Sequence, residues 1–545
     1  MIRTNRAALT ACALLMTAPA QANDKRDFEA CDGRMHPGKQ DDGMRGEASQ
    51  PAYFQLRNQF GGNNVEACTR ALASPRLLPQ QTLRKAHLLR ARAAAYLDDG
   101  KIDLAIADID AAEAATAPLA QERFFQRSMG VSLTLLRALA LAQSGRGGDA
   151  APLVQSALDA RPYALHIQEA GAQILDAARP LDAASPSPWN AVFRLEPDAR
   201  WRALTSEAQR GNFAAVLDLA GGGTTPWPTE PLAPFAIAAQ SADGNRFLLA
   251  LIVSLHTAYA HTAMGYPALA RQKLVEVREQ AKRLVPAADP AIAVPGRGSQ
   301  AELVTGFIDS RARQVEARIA IAEGRTSEVI AELVATPLPR DAATRDIMTA
   351  LRKAVPAKDA ALVPGDEQYL AAITAERQGD FGGLARRVLL APETPRSVVD
   401  YERARPNILS ALVGGALSLG TSLLGGIERT DGFRSTENPD GTVKVEFLGN
   451  TPSAAVVQEM TLLRAAELAK AAGKAGFVIT DRADYTRTMR TMRGAVEISS
   501  APAGFKTELT IRLIDSGATE VGAFDALTVI DALGPLYYEE RKPAR

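Results

Sequence analysis

The stretch Lys85–Pro118, KAHLLRARAAAYLDDGKIDLAIADIDAAEAATAP, constrains this chain more than any other. Leu89, Ala93 and Tyr96 recur at spacings of four and three, which marks one face of an α-helix. Asp98-Asp99-Gly100 breaks that period, and Gly100 suits the left-handed backbone that ends a helix. Ala105, Ile109 and Ala112 then resume it. Small residues let the two helices approach closely, and the larger ones fill the space that remains. Asp103, Asp108 and Asp110 fall mostly on the other face and read as a solvated surface.

A second copy follows as LTLLRALALAQSGRGGDAAPLVQSALDARP. The pattern resembles a tetratricopeptide repeat. The small residue and aromatic of that family's first helix, its turn glycine, the small and apolar positions of its second helix and its closing proline correspond to Ala93, Tyr96, Gly100, Ala105, Ile109, Ala112 and Pro118. In the second copy they correspond to Ala138, Leu141, Gly145, Ala150, Val154, Ala157 and Pro162. Weaker echoes centre on Gly211, Gly265, Gly324 and Gly379, with Leu204, Ala258, Ala317 or Ala372 seven residues before. Val216, Ala270, Val329 or Leu384 stands five after. The six glycines lie 45 to 66 residues apart, beyond the roughly 34 of the family, so additional helices or loops must intervene. The expected fold is mainly α, a degenerate tetratricopeptide-like solenoid over residues 86–400. An irregular all-α domain is the alternative for the later copies.

The resemblance implies an inner groove that binds protein. It turns His87, Arg90, Ala94 and Leu97 of the first copy to that groove, and Ser132, Leu135, Leu139 and Ala142 of the second. Arg90 and Ala94 stand where chaperone-binding members carry a Lys/Asn grip for a terminal carboxylate. Such a groove is partly apolar and suits a helix or extended peptide; the alternative is that the chain's own loops fill it.

The N-terminus reads as a targeting segment of residues 1–22. Arg3 and Arg6 precede the apolar run Ala7–Ala18, and Ala20-Gln21-Ala22 fits small-x-small cleavage before Asn23. Leu9-Thr10-Ala11-Cys12 has the residue types of a lipobox, so lipid anchoring at Cys12 is the rival. Removing the segment leaves Cys31 and Cys68, an even pair in an exported chain, which points to a disulfide stapling a cap over 23–85.

At 545 residues the chain has room for several cores. Aromatic residues are only 5% against 46% hydrophobic, which suits many closely packed helices. Lys+Arg and Asp+Glu balance at 62 each, so no global field draws nucleic acid, and none is expected as a partner. The uncharged stretch Pro406–Ile427, within a Gly-rich linker at 401–434, is long enough to span a bilayer. Its glycines and hydroxyls favour a buried or surface-docked helix, with membrane contact or self-association as the alternative.

Residues 435–545 change character. Thr442–Phe447 alternates apolar and polar as a strand does. A helix capped at Thr451-Pro452, strands around Phe477–Ile479 and Phe505–Ile514, and a helix from Phe524 to Leu533 stopped by Gly534-Pro535 complete a β-α-β-β-α domain. Val443, Val445, Phe447, Val456, Met460, Leu463, Ala466, Phe477, Ile479, Leu509 and Ile511 are its expected core. Gly449-Asn450, Arg464–Leu468, Gly476 and Phe477 resemble a small domain of bacterial envelope lipoproteins, which implies an envelope location and brings no catalytic residue.

Chemistry-bearing patterns are scarce. His256 and His261 are five apart, whereas helical zinc pairs sit four apart. Neither a phosphate-binding Gly loop nor a G-x-S-x-G is present. Arg464 and Glu467 have the spacing of a surface pair. Arg487, Arg490 and Arg493 would share a face if helical, but read better as a solvated connection between strands. No enzymatic activity, metal or cofactor is expected. The expected function is an exported periplasmic scaffold that binds an envelope protein or peptide. The alternative is an envelope factor docking on membrane or cell wall through 406–427 and the C-terminal domain.

Overall fold

The computed structural model describes residues 24–34, 36–39, 42–44, 64–178, 185–221, 227–233, 235–286, 299–356, 360, 363, 381, 383–393, 432–449, 453–493, 496–515 and 520–538. The chain is mainly helical, with an antiparallel sheet at its C-terminal end. Helices α1 (Asp24–Asp32) and α2 (Val65–Ala73) are bridged by Cys31–Cys68. Asn64 caps α2 by accepting from the amides of Glu66 and Ala67. Phe28, Ala71, Leu88 and Ala91 close a small core around the bridge.

Five helix pairs follow the same local rule. They are α3 (Thr82–Asp98) with α4 (Ile102–Ala115), α5 (Val131–Gln143) with α6 (Gly147–Ala160), and, after α7 (Leu165–Ala178) and α8 (Trp189–Leu195), α9 (Arg200–Arg210) with α10 (Phe213–Gly221). Then come α11 (Ala242–Ala263) with α12 (Pro267–Leu284), and α13 (Gln300–Ala322) with α14 (Thr326–Ala335). The turn glycines Gly100, Gly145, Gly211, Gly265 and Gly324 all have φ between 70° and 85°, a conformation that costs other residues. The partners expected on either side of them are buried: Ala93 and Ala105, Ala138 and Ala150, Leu204 and Val216, Ala258 and Ala270, Ala317 and Val329. Gly379 and its helices before Phe381 lie outside the described residues.

Three helices were not anticipated separately: α7, α8 and α15 (Ala342–Ala354). The first two lengthen the interval between Gly145 and Gly211. Asp341 caps α15, and Ile347, Met348 and Leu351 bury one stripe of it, so its signal was present in the sequence. Of the echo centred on Gly379, the described part is one turn, α16 (Leu384–Arg387), followed by a non-helical run to Glu393.

The C-terminal sheet contains β1 (Gly432–Glu437), β2 (Val443–Gly449), β3 (Gly476–Arg493), β4 (Val496–Ile514) and β5 (Phe524–Asp525), in the order β1-β2-β4-β3-β5. Helix α17 (Ala454–Ala471) follows β2, and α18 (Ala526–Tyr537) closes the chain. Three details depart from the expected β-α-β-β-α. β1 pairs Phe433 with Phe447, inside the segment taken as linker. The basic stretch from Thr486 to Arg493 is the outer half of the β3–β4 hairpin, where its β-branched threonines suit a strand. And α18 runs through Gly534-Pro535, because a missing Cβ at Gly534 admits the Tyr538 ring; a Cβ there would stand 2.5 Å from it. Ser453, not Thr451, caps α17.

Of the expected core residues only Val443 is half-exposed; the others are buried. That core does not close on itself. It continues without a break into Leu165, Trp189, Phe193 and the later helices. Ala455 of α17 belongs instead to the core of the first repeats.

Two outcomes follow. Phe447, fully buried with its ring 4.5 Å from that of Phe433, should lose about 3–5 kcal/mol on Phe447→Ala in urea unfolding of the whole chain. A loss below about 1 kcal/mol would take it out of the core. A thiol titration of the denatured, exported protein should find neither Cys31 nor Cys68 free. Opening their 37-residue loop by reduction should cost up to about 4 kcal/mol.

Candidate functional site

The residues assigned to the groove lie on α3 and α5, and they are covered. His87, Arg90, Ala94, Leu97, Ser132, Leu135 and Leu139 are all buried, and Ala142 nearly so. The cover is the chain's own Leu384–Glu393. Leu384, Ala385, Val388, Leu389 and Leu390 enter the same hydrophobic cluster as Leu135 and Leu139. Ser132 Oγ donates to the Val388 carbonyl and Arg90 Nη2 to the Leu390 carbonyl. The Glu393 amide donates to Ser128 Oγ at 3.0 Å. At the segment's exposed start Arg386 reaches Asp98 at 2.9 Å.

The wall of this groove is tied to the disulfide-stapled cap. Asp32, beside Cys31, meets Arg84 at 3.0 Å, and Arg34 Nε lies 3.0 Å from His87 Nε2. Arg90 approaches the other ring nitrogen, with Nε 3.2 Å from Nδ1. A neutral imidazole accepts at one nitrogen only, so it cannot satisfy both guanidinium groups. Burial, then Arg90, Arg34 and Arg84, holds His87 well below the ordinary imidazole range. Burial and then Arg34 lower Arg90 to about 9, against the pull of Asp32. Burial raises Asp32 despite the nearby Arg84 and Arg34.

A second constellation was not anticipated at all. Arg127 Nη2 lies 2.7 Å from both carboxylate oxygens of Glu459 on α17. Arg161, at the end of α6, places Nε 3.1 Å from Glu459 Oε1 and Nη1 2.8 Å from Glu393 Oε1. Its Nη1 also donates to the Arg127 carbonyl at 2.8 Å. Tyr537 of α18 donates to Glu459, and Ser453 donates to Glu393 at 2.6 Å. Arg161 and Glu459 have no exposure. Arg127 sits in a π-helical turn, Gln126–Gly130, a backbone form often found where a helix must present a particular side chain.

Burial pushes the Glu459 carboxyl up. Arg161, Arg127 and the bonds from Arg161 and Tyr537 outweigh it and hold the group near a pKa of about 2. Burial, then Glu459, raises the Tyr537 phenol well above its usual range. Burial also opposes the charge on Arg161, yet Glu393 and Glu459 raise it overall. A carboxylate that stays ionised and a phenol that stays protonated around neutral pH cannot exchange a proton with a substrate there. The cluster is a structural clamp joining three remote parts of the chain. Its one sequence signal was Glu459 itself, a charge set among Val456, Met460 and Leu463 on the apolar face of α17.

The remaining candidates stay apart. Burial, then Arg311, depresses His256 to about 4, and burial, then Lys273, lowers His261. Among the described residues no group of His, Cys, Asp and Glu is placed to hold a metal ion. Arg464 and Glu467 pair at 3.1 Å, and Tyr538 donates to Glu467. Arg487, Arg490 and Arg493 lie three residues apart along β3, in register with Gly504, Ser500 and Val496 of β4. Cys12, the segment 1–22 and Pro406–Ile427 lie outside the described residues, among which no helix is long and apolar enough to cross a membrane. No protein-family model, curated protein or solved structure matches this chain.

The clamp gives a signed pH dependence. Glu459 is held at about 2 against an ordinary 4.5, so its contribution is complete above pH 4.5 and is lost as pH falls toward 2. The difference amounts to about 3 kcal/mol. Urea midpoints should fall across that window, and Glu459→Gln should flatten the fall. At pH 7 the same variant should cost about 3–5 kcal/mol, because it leaves Arg127 and Arg161 without their shared carboxylate.

Proposed function

We propose that the chain is an exported, periplasmic scaffold that binds another envelope protein through the second half of its helical array. The observation that carries this reading is the distribution of exposed apolar side chains. Among the described residues, eight of the twelve large exposed hydrophobics fall between Phe235 and Val334. They include Tyr266 and Leu269 near the start of α12, and Leu303 and Phe307 one turn apart on α13. Scattered surface apolar residues are ordinary; a concentration on one run of helices supports a docking face. The first half of the array is packed against Leu384–Glu393 and touches α17. The Cys31–Cys68 bridge supports an oxidising compartment, and Ala20-Gln21-Ala22 supports export to it.

A photo-crosslinking residue at Leu303 or Tyr266 should capture the partner in cells, and one at exposed Arg386 should not. Equal capture from both places would remove the docking face from the argument. Osmotic shock should release a mature chain beginning at Asn23. Retention with membranes, or a lipid on Cys12, would favour the anchored alternative.

A further inference from the structure

The segment Leu384–Glu393 is bound in a manner that helix packing does not require. Past its single helical turn, two carbonyls and one amide are caught by groove side chains, those of Ser132, Arg90 and Ser128. Side-chain capture of an extended main chain is indifferent to the sequence captured, and selectivity then comes from the flanking pockets. Here Val388 and Leu389 are buried in the apolar cluster, and the Glu393 carboxylate meets Arg161. Arg161 is also a partner of Glu459, and Ser453 at the N-cap of α17 donates to Glu393. The segment and the C-terminal domain therefore share one buried guanidinium, so the exit of either alters the charge balance that holds the other.

We propose that Leu384–Glu393 is an intramolecular ligand, which the groove exchanges for a peptide with an apolar extended stretch and an acidic side chain placed as Glu393 is, five residues beyond Val388. Docking of the C-terminal domain through Glu459 keeps that exchange shut. The proposal rests on the protein-binding role above but uses a different surface, so crosslinking from α12 and α13 and peptide binding at α3 and α5 succeed or fail separately. Apparent affinity for an added peptide scales with the fraction of chains whose groove is open.

The test uses the full chain and a fluorescent synthetic peptide, LARRVLLAPE, the sequence of residues 384–393. Tyr537→Phe removes one bond to Glu459 without touching the groove, and should tighten peptide binding at least tenfold over wild type. Arg386→Ala removes only the exposed contact with Asp98, leaves the core intact and should tighten binding in the same direction. With both peptides amidated at the C-terminus, the one carrying Gln in place of Glu should bind either variant at least tenfold more weakly. Equal affinity for wild type and both folded variants, or binding to none of them, would overturn the proposal. So would dimers of the variants formed by exchanged segments, which would put a second copy in the groove in place of a foreign peptide.

Discussion

A guanidinium with no access to water is costly unless it is hydrogen-bonded and its charge is balanced, and Arg161 is such a group. Its two partners come from segments more than two hundred residues away in sequence, Glu393 and Glu459. Satisfying Arg161 therefore places the segment after α16 and the C-terminal helix α17 at once. Arg127 adds a second guanidinium and Tyr537 a hydroxyl, so that both oxygens of Glu459 are bonded. Buried pairs of this kind give little net stability over an apolar core, but breaking one is expensive. They also oppose misregister, because an α17 slid by one turn would carry the buried Glu459 carboxylate away from both arginines.

The helices that present these arginines owe their spacing to small residues. Ala93 meets a helix carrying Ala105 and Ala112, and Ala138 one carrying Ala150 and Ala157, all buried. A single helical turn and the extended run after it, Leu384–Glu393, join the hydrophobic cluster of these helices. The segment leaves helical geometry after Arg387, and its freed main-chain groups find Ser132, Arg90 and Ser128.

This division explains what the sequence discloses. Hairpin turns are local: a glycine that must adopt positive φ is visible beside its own helices, and Gly100, Gly145, Gly211, Gly265 and Gly324 were legible for that reason. The apolar faces of β2 and α17 were legible too, because their periods are short-range. β1 was not, since its exposed Arg434–Glu437 carries no alternation and its pairing is supplied by β2. The residues assigned to the groove are buried, and what covers Ser132 lies some 250 residues downstream at Val388. The clamp required knowing that Arg127, Arg161, Glu393 and Glu459 converge, which nothing local encodes.

The Cys31–Cys68 bridge also bears on the groove. It fixes the end of α1, and with it Asp32 and Arg34. Asp32 orients Arg84, while Arg34 and Arg90 compete for the nitrogens of His87. His87 stays neutral because three guanidinium groups in a buried site oppose its proton. Since the ring can accept from only one side, Arg90 is not fully satisfied by it, and the Leu390 carbonyl supplies the bond it lacks. The cap therefore acts on the groove as well as closing the array: its buried charges leave Arg90 needing a main-chain carbonyl, and the nearest extended segment provides one.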